Sequence, residues 1–173
     1  GLCRHCQMGH GARQIQAHRL RAFEQRQTPA QAGAASLMPK IVFDTNVLLS
    51  AVLSDRGSSH GLVRLCAEGK VSGYTSKPLM EEFKEVIQRD YSVPAGKAEQ
   101  MAEVFLRFLK LAEPGIKLAV VRDEPDNRVL ECAVAVRADF VASWDPHLTD
   151  LHKFEEIRIL NPGKILSLLK GTR

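Results

Sequence analysis

Two aspartates stand where short apolar runs of the chain end. Asp44 follows the run at residues 40–43, and Asp145 closes the segment that begins with the run at residues 140–142. Each run is typical of a strand buried on both faces, and a helical pattern follows each one. Open α/β sheets bind ligands at the carboxyl ends of their strands, so both side chains are candidates for chemistry. Taken alone, each is also explained as the residue that caps the next helix.

Glu82 lies in a segment whose apolar residues recur with the helical period. A helix there buries one apolar stripe, formed by Leu79, Met80, Phe83, Val86 and Ile87. Glu82 falls at the border of that stripe, whereas Glu81 falls nearly opposite its centre. Glu82 is therefore predicted to be half withdrawn from water, and the alternative is a rim residue that extends into solvent.

Asp126 falls in the middle of an apolar face. In the helix predicted to begin at Pro125, Asp126 has the same angular position as Leu130 and Ala133. An unpaired acid in that position is costly to desolvate, which favours a functional role. The alternative is a first-turn acid favoured by the helix dipole. Asp123 lies in the preceding loop and can approach the same place.

A common explanation is needed for four acids at one edge of a sheet. The carboxylates of Asp44, Glu82, Asp126 and Asp145 would repel one another unless a cation neutralised them. No set of Cys or His residues lies near them in the sequence, and oxygen ligands alone indicate Mg²⁺ or Mn²⁺. The pattern therefore predicts a site for one or two such ions.

Apolar periodicity predicts strands that alternate with helices. The predicted strands are residues 40–43, 71–75, 118–121, 140–142 and 157–160. The predicted helices are residues 47–53 and 61–68, one capped by Ser76, a long one from Pro94 to about Pro114, one from Pro125 and a last one from Pro162. This alternation favours a three-layer α/β/α sandwich with a mostly parallel sheet of about five strands.

Length and composition predict one ordinary soluble domain. Of the 173 residues, 45% are hydrophobic and 25% charged, and no apolar run is long enough to cross a membrane. The formal charge of +4 lies in residues 1–37, because residues 38–173 hold 19 basic and 19 acidic residues. Nucleic-acid binding by the domain would thus depend on local arrangement. The four Cys make no disulfide framework, which favours a reducing cytoplasm.

Residues 1–37 show no sustained apolar period and are predicted to be a disordered or extraneous extension of a domain at residues 38–173. Two Cys and two His residues in this segment have the wrong spacing for a zinc finger: Cys3, Cys6, His10 and His18. The segment is rich in Arg like an organelle transit peptide, but its single serine weakens that interpretation. Met38 has the features of a natural start.

Taken in chain order, four motifs resemble those of the PIN domain. They are Asp44-Thr45-Asn46, the block Ser76-x-x-Leu79-x-Glu81-Glu82, Asp123-x-Pro125-Asp126-Asn127, and Ser143-x-Asp145 at the end of an apolar strand. The resemblance is closest to the toxin component of bacterial PIN-type toxin–antitoxin pairs and covers about residues 38–169. One departure is Trp144, which stands where the fourth motif usually has Gly and places a bulky ring at the mouth of the site.

The resemblance implies a metal-dependent ribonuclease that hydrolyses RNA phosphodiester bonds. Its acidic quartet matches Asp44, Glu82, Asp126 and Asp145, with supporting positions at Thr45, Asn46, Ser76, Asp123 and Ser143. It further implies Mg²⁺ or Mn²⁺ as cofactor, an RNA substrate, a small antitoxin as partner, a homodimer and a cytoplasmic location. An arginine of the antitoxin could pair with the quartet and displace metal.

Three alternatives belong to other functional classes. A receiver-type signalling domain needs an Asp at the end of the third strand and a Lys at the end of the fifth, where this chain has Arg122 and Asn161. A haloacid-type phosphatase needs a second Asp at the position of Asn46. A non-catalytic PIN domain that binds RNA or a protein is the more serious alternative, and cleavage assays would distinguish it.

Overall fold

The computed structural model describes residues 38–171 of the chain. Its strands are β1 (Lys40–Phe43), β2 (Ser72–Ser76), β3 (Leu109–Ala112), β4 (Phe140–Ala142), β5 (Lys153–Phe154) and β6 (Ile157–Leu160). Its helices are α1 (Thr45–Leu53), α2 (Ser58–Ala67), α3 (Lys77–Tyr91), α4 (Ala95–Leu106), α5 (Glu124–Val136), α6 (Pro146–Thr149) and α7 (Pro162–Gly171). The predicted extension at residues 1–37 lies outside the described part.

The strands form one six-stranded sheet in the order β3-β2-β1-β4-β6-β5. All neighbouring pairs are parallel except β5 and β6. β1 lies at the centre, where Val42 pairs with Tyr74 on one side and Val141 on the other. The chain runs outward from β1 through β2 to β3 and then crosses back to β4. The gap between β1 and β4 is therefore the topological switch point at which α/β sheets bind ligands.

Helices cover both faces of the sheet, which confirms the predicted three-layer α/β/α architecture. Ile41 and Phe43 face a core built with residues of α1, α2, α3, α4 and α7. Val42 faces a second core on the side of α5 and α6. The rings of Phe83 and Phe105 meet edge to face, 5.3 Å apart at 88°, and join α3 to α4. The alternating directions of β1 residues carry Asp44, the next residue, toward the α5 side.

The middle of the chain departs from the predicted elements. The helix predicted from Pro94 to about Pro114 ends at Leu106, and residues 109–112 form edge strand β3 instead. Residues 118–121, predicted as a strand, form none. Their backbone N–H groups are bonded by side chains of α5, because Leu118 N–H donates to Glu131 (2.8 Å) and Val120 N–H donates to Asn127 (2.8 Å). β5 is the other strand absent from the prediction.

A close approach of backbone and side chains occurs at Gly73 in β2. A Cβ atom built there would lie 2.4 Å from Cys66 Sγ and 2.5 Å from a Leu109 methyl carbon. Burial raises the pKa of the Cys66 thiol to about 12, and the same cause raises that of Cys132 to about 12, so both are packing residues.

Within residues 38–171, no helix is long and apolar enough to cross a membrane.

Candidate functional site

The switch point between β1 and β4 is joined by a hydrogen bond between side chains. Ser143, directly after β4, donates its hydroxyl to Asp44 Oδ2 at 2.5 Å. The same Oγ accepts the backbone N–H of Asp145 at 2.9 Å. Asp44 is 6% exposed, and its side chain makes no hydrogen bond that caps α1. Ser143 therefore fixes Asp44 and the backbone of Asp145 together, and the capping alternative for Asp44 is wrong.

Glu82 is connected to the same place through Thr45. The Thr45 hydroxyl donates to Glu82 Oε2 at 3.1 Å, and Thr45 directly follows Asp44 in the chain. Glu82 is half-buried, as its position on the stripe predicts. Glu81 is exposed and forms an ion pair with Lys84 at 2.8 Å. The helical phase of α3 thus directs one of two adjacent glutamates to the site and the other to solvent.

Asp126 lies in the first turn of α5 and is 7% exposed. Its Oδ2 is buried and has no hydrogen-bond partner within the described residues. A buried carboxylate oxygen without a donor is costly, so this atom is suited to a ligand such as a cation. Asp123 is exposed at the position before the helix, and its carbonyl accepts from the Asn127 side chain at 2.9 Å.

Asn127 holds the segment before α5 in place. Its Oδ1 accepts the backbone N–H groups of Val120 (2.8 Å) and Val121 (3.1 Å), and its Nδ2 donates to Val121 O (2.8 Å). The buried amide therefore satisfies backbone groups on both sides of the turn that leads to Asp126. The sequence motif contains Asn127, but its positioning role depends on the chain path, which the sequence does not reveal.

Asp145 caps the short helix α6. Its Oδ1 accepts the backbone N–H of His147 at 2.8 Å, as the capping alternative predicts. It is half-buried, and its charge is close enough to Asp126 to raise the pKa of that carboxyl. One Asp145 oxygen thus fixes the residue while the carboxylate still faces the other acids.

The fold holds the four acids near enough to one another for their like charges to interact. Burial raises the pKa of Asp44 to about 6, and the charges of Glu82 and Asp126 raise it further against the lowering by Ser143. Burial also raises the pKa of Asp126 to about 6, with Asp145 and Asp123 as the next causes. Burial raises the pKa of Glu82 as well. These carboxylates therefore carry charge at a cost that a bound cation would relieve.

Two further side chains influence the charge of the acids. Arg128 lowers the pKa of Glu82 by its charge and donates to Glu124 at 2.9 Å. His147 is exposed but lies near enough to Asp126 to lower the pKa of that carboxyl. Arg128 lies one turn after Glu124 on α5, and this spacing was the available signal.

Asn46 and Ser59 hold Trp144, whereas the side chain of Ser76 makes no hydrogen bond within residues 38–171. Asn46 Oδ1 accepts the backbone N–H of Trp144 at 3.3 Å, and Ser59 Oγ accepts the indole N–H at 2.8 Å. Ser59 was not predicted to take part, because no local pattern connects it to residue 144. Ser76 precedes α3 but makes no capping hydrogen bond; its hydroxyl is buried without a partner in the described residues.

The acids fit a divalent metal in ligand type but do not form a closed cage. Among residues 38–171, no three His, Cys, Asp or Glu side chains are gathered closely enough to hold a metal ion by themselves. Mg²⁺ often binds through one or two carboxylates and keeps several waters. The unpartnered Asp126 oxygen and the purely oxygen-based set are therefore compatible with a Mg²⁺ or Mn²⁺ site that water completes.

A cavity of about 560 Å³ opens elsewhere, at the amino ends of the strands. Lys40, Arg137, Asp139 and Arg158 are among the residues that line it. None of the four coupled acids does, and the lining offers no group of converging carboxylates. The chemistry that the carboxylates can perform is thus confined to the carboxyl edge of the sheet.

Comparison with known proteins matches this part of the chain. A sequence profile of the PIN domain matches residues 40–147, from the start of β1 to just beyond Asp145. An uncharacterized protein of Methanocaldococcus jannaschii, MJ1680, is 29% identical over 116 residues, which are 65% of this chain and 74% of that protein. The profile therefore spans all four acids, the strands β1 to β4 and the helices α3 and α5 that carry Glu82 and Asp126.

Proposed function

Because the chain belongs to the PIN domain family, whose members are generally nucleases that use divalent metals, we propose that it is a Mg²⁺- or Mn²⁺-dependent ribonuclease. The observation that carries the proposal is the coupling of Asp44, Glu82, Asp126 and Asp145 at the switch point of the sheet. Asp44 and Asp126, whose pKa values are raised by burial and by the charges of neighbouring acids, are suited to holding a cation beside a phosphodiester.

Each acid has a role in this proposal. Asp44, Asp126 and Asp145 would hold the metal, which would supply the charge that activates water and stabilises the leaving oxygen. Ser143 holds Asp44 by its hydroxyl and the Asp145 backbone by its oxygen. Glu82 is oriented by Thr45 through Oε2, so Oε1 is left to accept a hydrogen bond from the attacking water.

The test is cleavage of mixed single-stranded RNAs by the full chain with Mg²⁺, with Mn²⁺ and with EDTA. We expect cleavage only with metal, and we expect Asp44→Asn to abolish it. Asp90→Asn is the matched control, because Asp90 is exposed at the far end of α3 and forms an ion pair with Arg89. A wild-type protein that binds RNA but never cleaves it would identify the non-catalytic alternative.

We also propose that the protein is the toxin of a toxin–antitoxin pair. An unrestrained ribonuclease damages its host, and a desolvated acidic cluster can pair bidentately with an arginine in place of metal. Co-purification from the native host, with inhibition measured across a Mg²⁺ titration, tests this: high Mg²⁺ should weaken inhibition. Inhibition that is indifferent to metal would exclude this competition, and the lack of any partner would favour a free-standing nuclease.

A homodimer is the last part of the proposal and rests on the family resemblance alone. Light scattering of the purified full chain measures the mass directly. We expect twice the chain mass of 19.2 kDa across micromolar concentrations. A mass equal to that of one chain would contradict it without affecting the nuclease assignment.

A further inference from the structure

The only tryptophan of the chain lies at the mouth of the acidic site. Trp144 stands between Ser143, which bonds Asp44, and Asp145, which is coupled to Asp126. Its backbone N–H donates to Asn46 Oδ1 at 3.3 Å. The main chain at Trp144 is therefore fixed as part of the site.

The ring is held as well. Its Nε1–H donates at 2.8 Å to the hydroxyl of Ser59, which is 1% exposed in the first turn of α2. Because the one polar atom of the indole is bonded inside the protein, the exposed part of the side chain is its apolar surface. Trp144 is nevertheless 45% exposed. The arrangement presents an oriented aromatic surface to solvent.

A structural role accounts for only half of this geometry. The bond to Ser59 ties the end of β4 to the start of α2, which would stabilise the fold. It does not explain why so large a ring remains 45% exposed when most of the large apolar side chains of the domain are buried. An oriented and exposed aromatic beside the reacting groups is suited to stacking with a planar ligand.

We infer that Trp144 stacks on an unpaired base of single-stranded RNA next to the scissile phosphate. The inference rests on the proposed ribonuclease function and names its substrate class. Every base has a π-face, so such a contact tolerates any sequence but needs a base that is free to leave its neighbours. Bases inside a duplex are already stacked, and the ring therefore favours single strands over duplexes.

The experiment uses tryptophan emission, which reports on Trp144 alone because the chain has no other tryptophan. The full-length Asp126→Asn variant is titrated in Mg²⁺ with a 12-residue oligouridylate, with its duplex on oligoadenylate, and with an abasic ribose-phosphate oligomer of equal length. Anisotropy of the labelled oligomers measures binding separately. We expect saturable quenching by the single strand and none by the abasic oligomer. Binding with unchanged emission would overturn the inference.

Substitutions provide the second measurement. Trp144→Leu in the same background should weaken single-strand binding by about 5- to 150-fold and leave binding of the abasic oligomer unchanged. Trp144→Phe should retain most of the affinity, and Ser59→Ala should reduce quenching because the ring is no longer held. Equal affinities for Leu and Trp at this position would contradict stacking. If the Leu variant does not fold, the wild-type emission and the Phe variant still decide.

The outcomes separate this inference from the nuclease proposal. Quenching by single strands, with no metal-dependent cleavage by the wild type, would overturn the ribonuclease and retain the stacking surface. Cleavage by the wild type without quenching of Trp144 would overturn the stacking surface alone. Absence of binding by every oligomer, together with no cleavage by the wild type, would overturn both.

Discussion

A single hydroxyl group organises much of the site at the scale of residues. Ser143 Oγ donates to Asp44 and accepts from the Asp145 backbone, so it acts as donor and acceptor at once between two acids. Asp126 has no comparable support, because its Oδ2 has no partner in residues 38–171. The protein thus fixes the carboxylate of Asp44, whereas Oδ2 of Asp126 is available to a ligand.

Adjacent glutamates allow a matched test of the site. Glu82→Gln should lower metal-dependent cleavage by at least about 100-fold, because a neutral amide cannot act as a base for the attacking water. Glu81→Gln should leave cleavage within about twofold, since Glu81 is exposed and forms an ion pair with Lys84 in α3. Initial rates at saturating Mg²⁺ measure both. Equal losses in the two variants would mean that the helical phase of α3 does not assign their roles.

The raised pKa values predict the pH dependence of stability without metal. Asp126 rises from its ordinary value of 3.8 to about 6, so the folded state binds the proton more tightly than the unfolded state. Its favourable contribution is complete below about pH 4 and is lost as pH rises through 6. The free energy of unfolding of Asp126→Asn should therefore rise relative to that of wild type over this range. The difference should reach about 1–2 kcal/mol at pH 7.

Urea unfolding in EDTA between pH 4 and pH 8 measures this difference. Asp90→Asn is the control, because the pKa of Asp90 is lowered by its bond to Arg89 and the substitution should not gain stability with pH. A difference between wild type and Asp126→Asn that is constant across the range would show that Asp126 is not desolvated. Mg²⁺ should raise the stability of wild type more than that of Asp126→Asn.

At the scale of elements, β1 and β4 could be predicted and β3 could not. β1 and β4 are apolar runs next to acids, and their burial on both faces makes that pattern clear. β3 is an edge strand with both middle residues exposed, and the apolar period of α4 continues into it. Residues 118–121 have the composition of a strand, but Glu131 and Asn127 satisfy their N–H groups, so no partner strand is required.

The candidate site was predictable where it depends on the phase of a helix. The positions of Glu82 and Asp126 follow from their angles relative to the apolar stripes, and the structure places both as expected. The bond between Ser59 and Trp144 joins residues 85 positions apart and has no local signal. The cap predicted for Ser76 is wrong, because its hydroxyl is turned into the protein. The roles of Glu82 and Asp126 in catalysis stay a prediction.

The packing of β2 against its neighbours leaves no room for a Cβ atom at Gly73. Gly73→Ala should lower the free energy of unfolding by about 1–3 kcal/mol, because the new Cβ would overlap Cys66 and Leu109. Gly96→Ala is the matched control in α4, where nothing lies within 4 Å of the added atom. That variant should be unchanged or up to about 1 kcal/mol more stable. Denaturant midpoints measure both, and equal stability of Gly73→Ala and wild type would contradict the packing.

At the scale of the whole molecule, the two edges of the sheet differ in charge. The carboxyl edge gathers the four acids, whereas the amino edge, where residue 38 begins the described part, has the three cations Lys40, Arg137 and Arg158 beside the two acids Asp139 and Glu156. The net charge of +4 belongs to residues 1–37 by count. Any contribution of that segment to binding a polyanion is therefore separable from the acidic site.

Deletion of residues 1–37 tests this separation. The truncated chain should keep its unfolding midpoint and its cleavage rate at saturating RNA, because every strand and acid of the site lies in residues 38–171. At low salt, the truncated chain should bind RNA more weakly than the full chain does. At high salt, the two affinities should converge. Failure of the truncated chain to fold would place the domain boundary before Met38.

The bond from Ser143 to Asp44 joins residues 99 positions apart, and this separation has a consequence during translation. At roughly 5–20 residues per second, Asp44 is made about 5–20 s before Asp145. β1 lacks its β4 neighbour throughout that interval, and Asp126 lacks Asp145. The acidic site is thus completed only after the codon for Asp145 has been read. The ribosome decodes everything upstream of that codon while the chain it carries has no complete site.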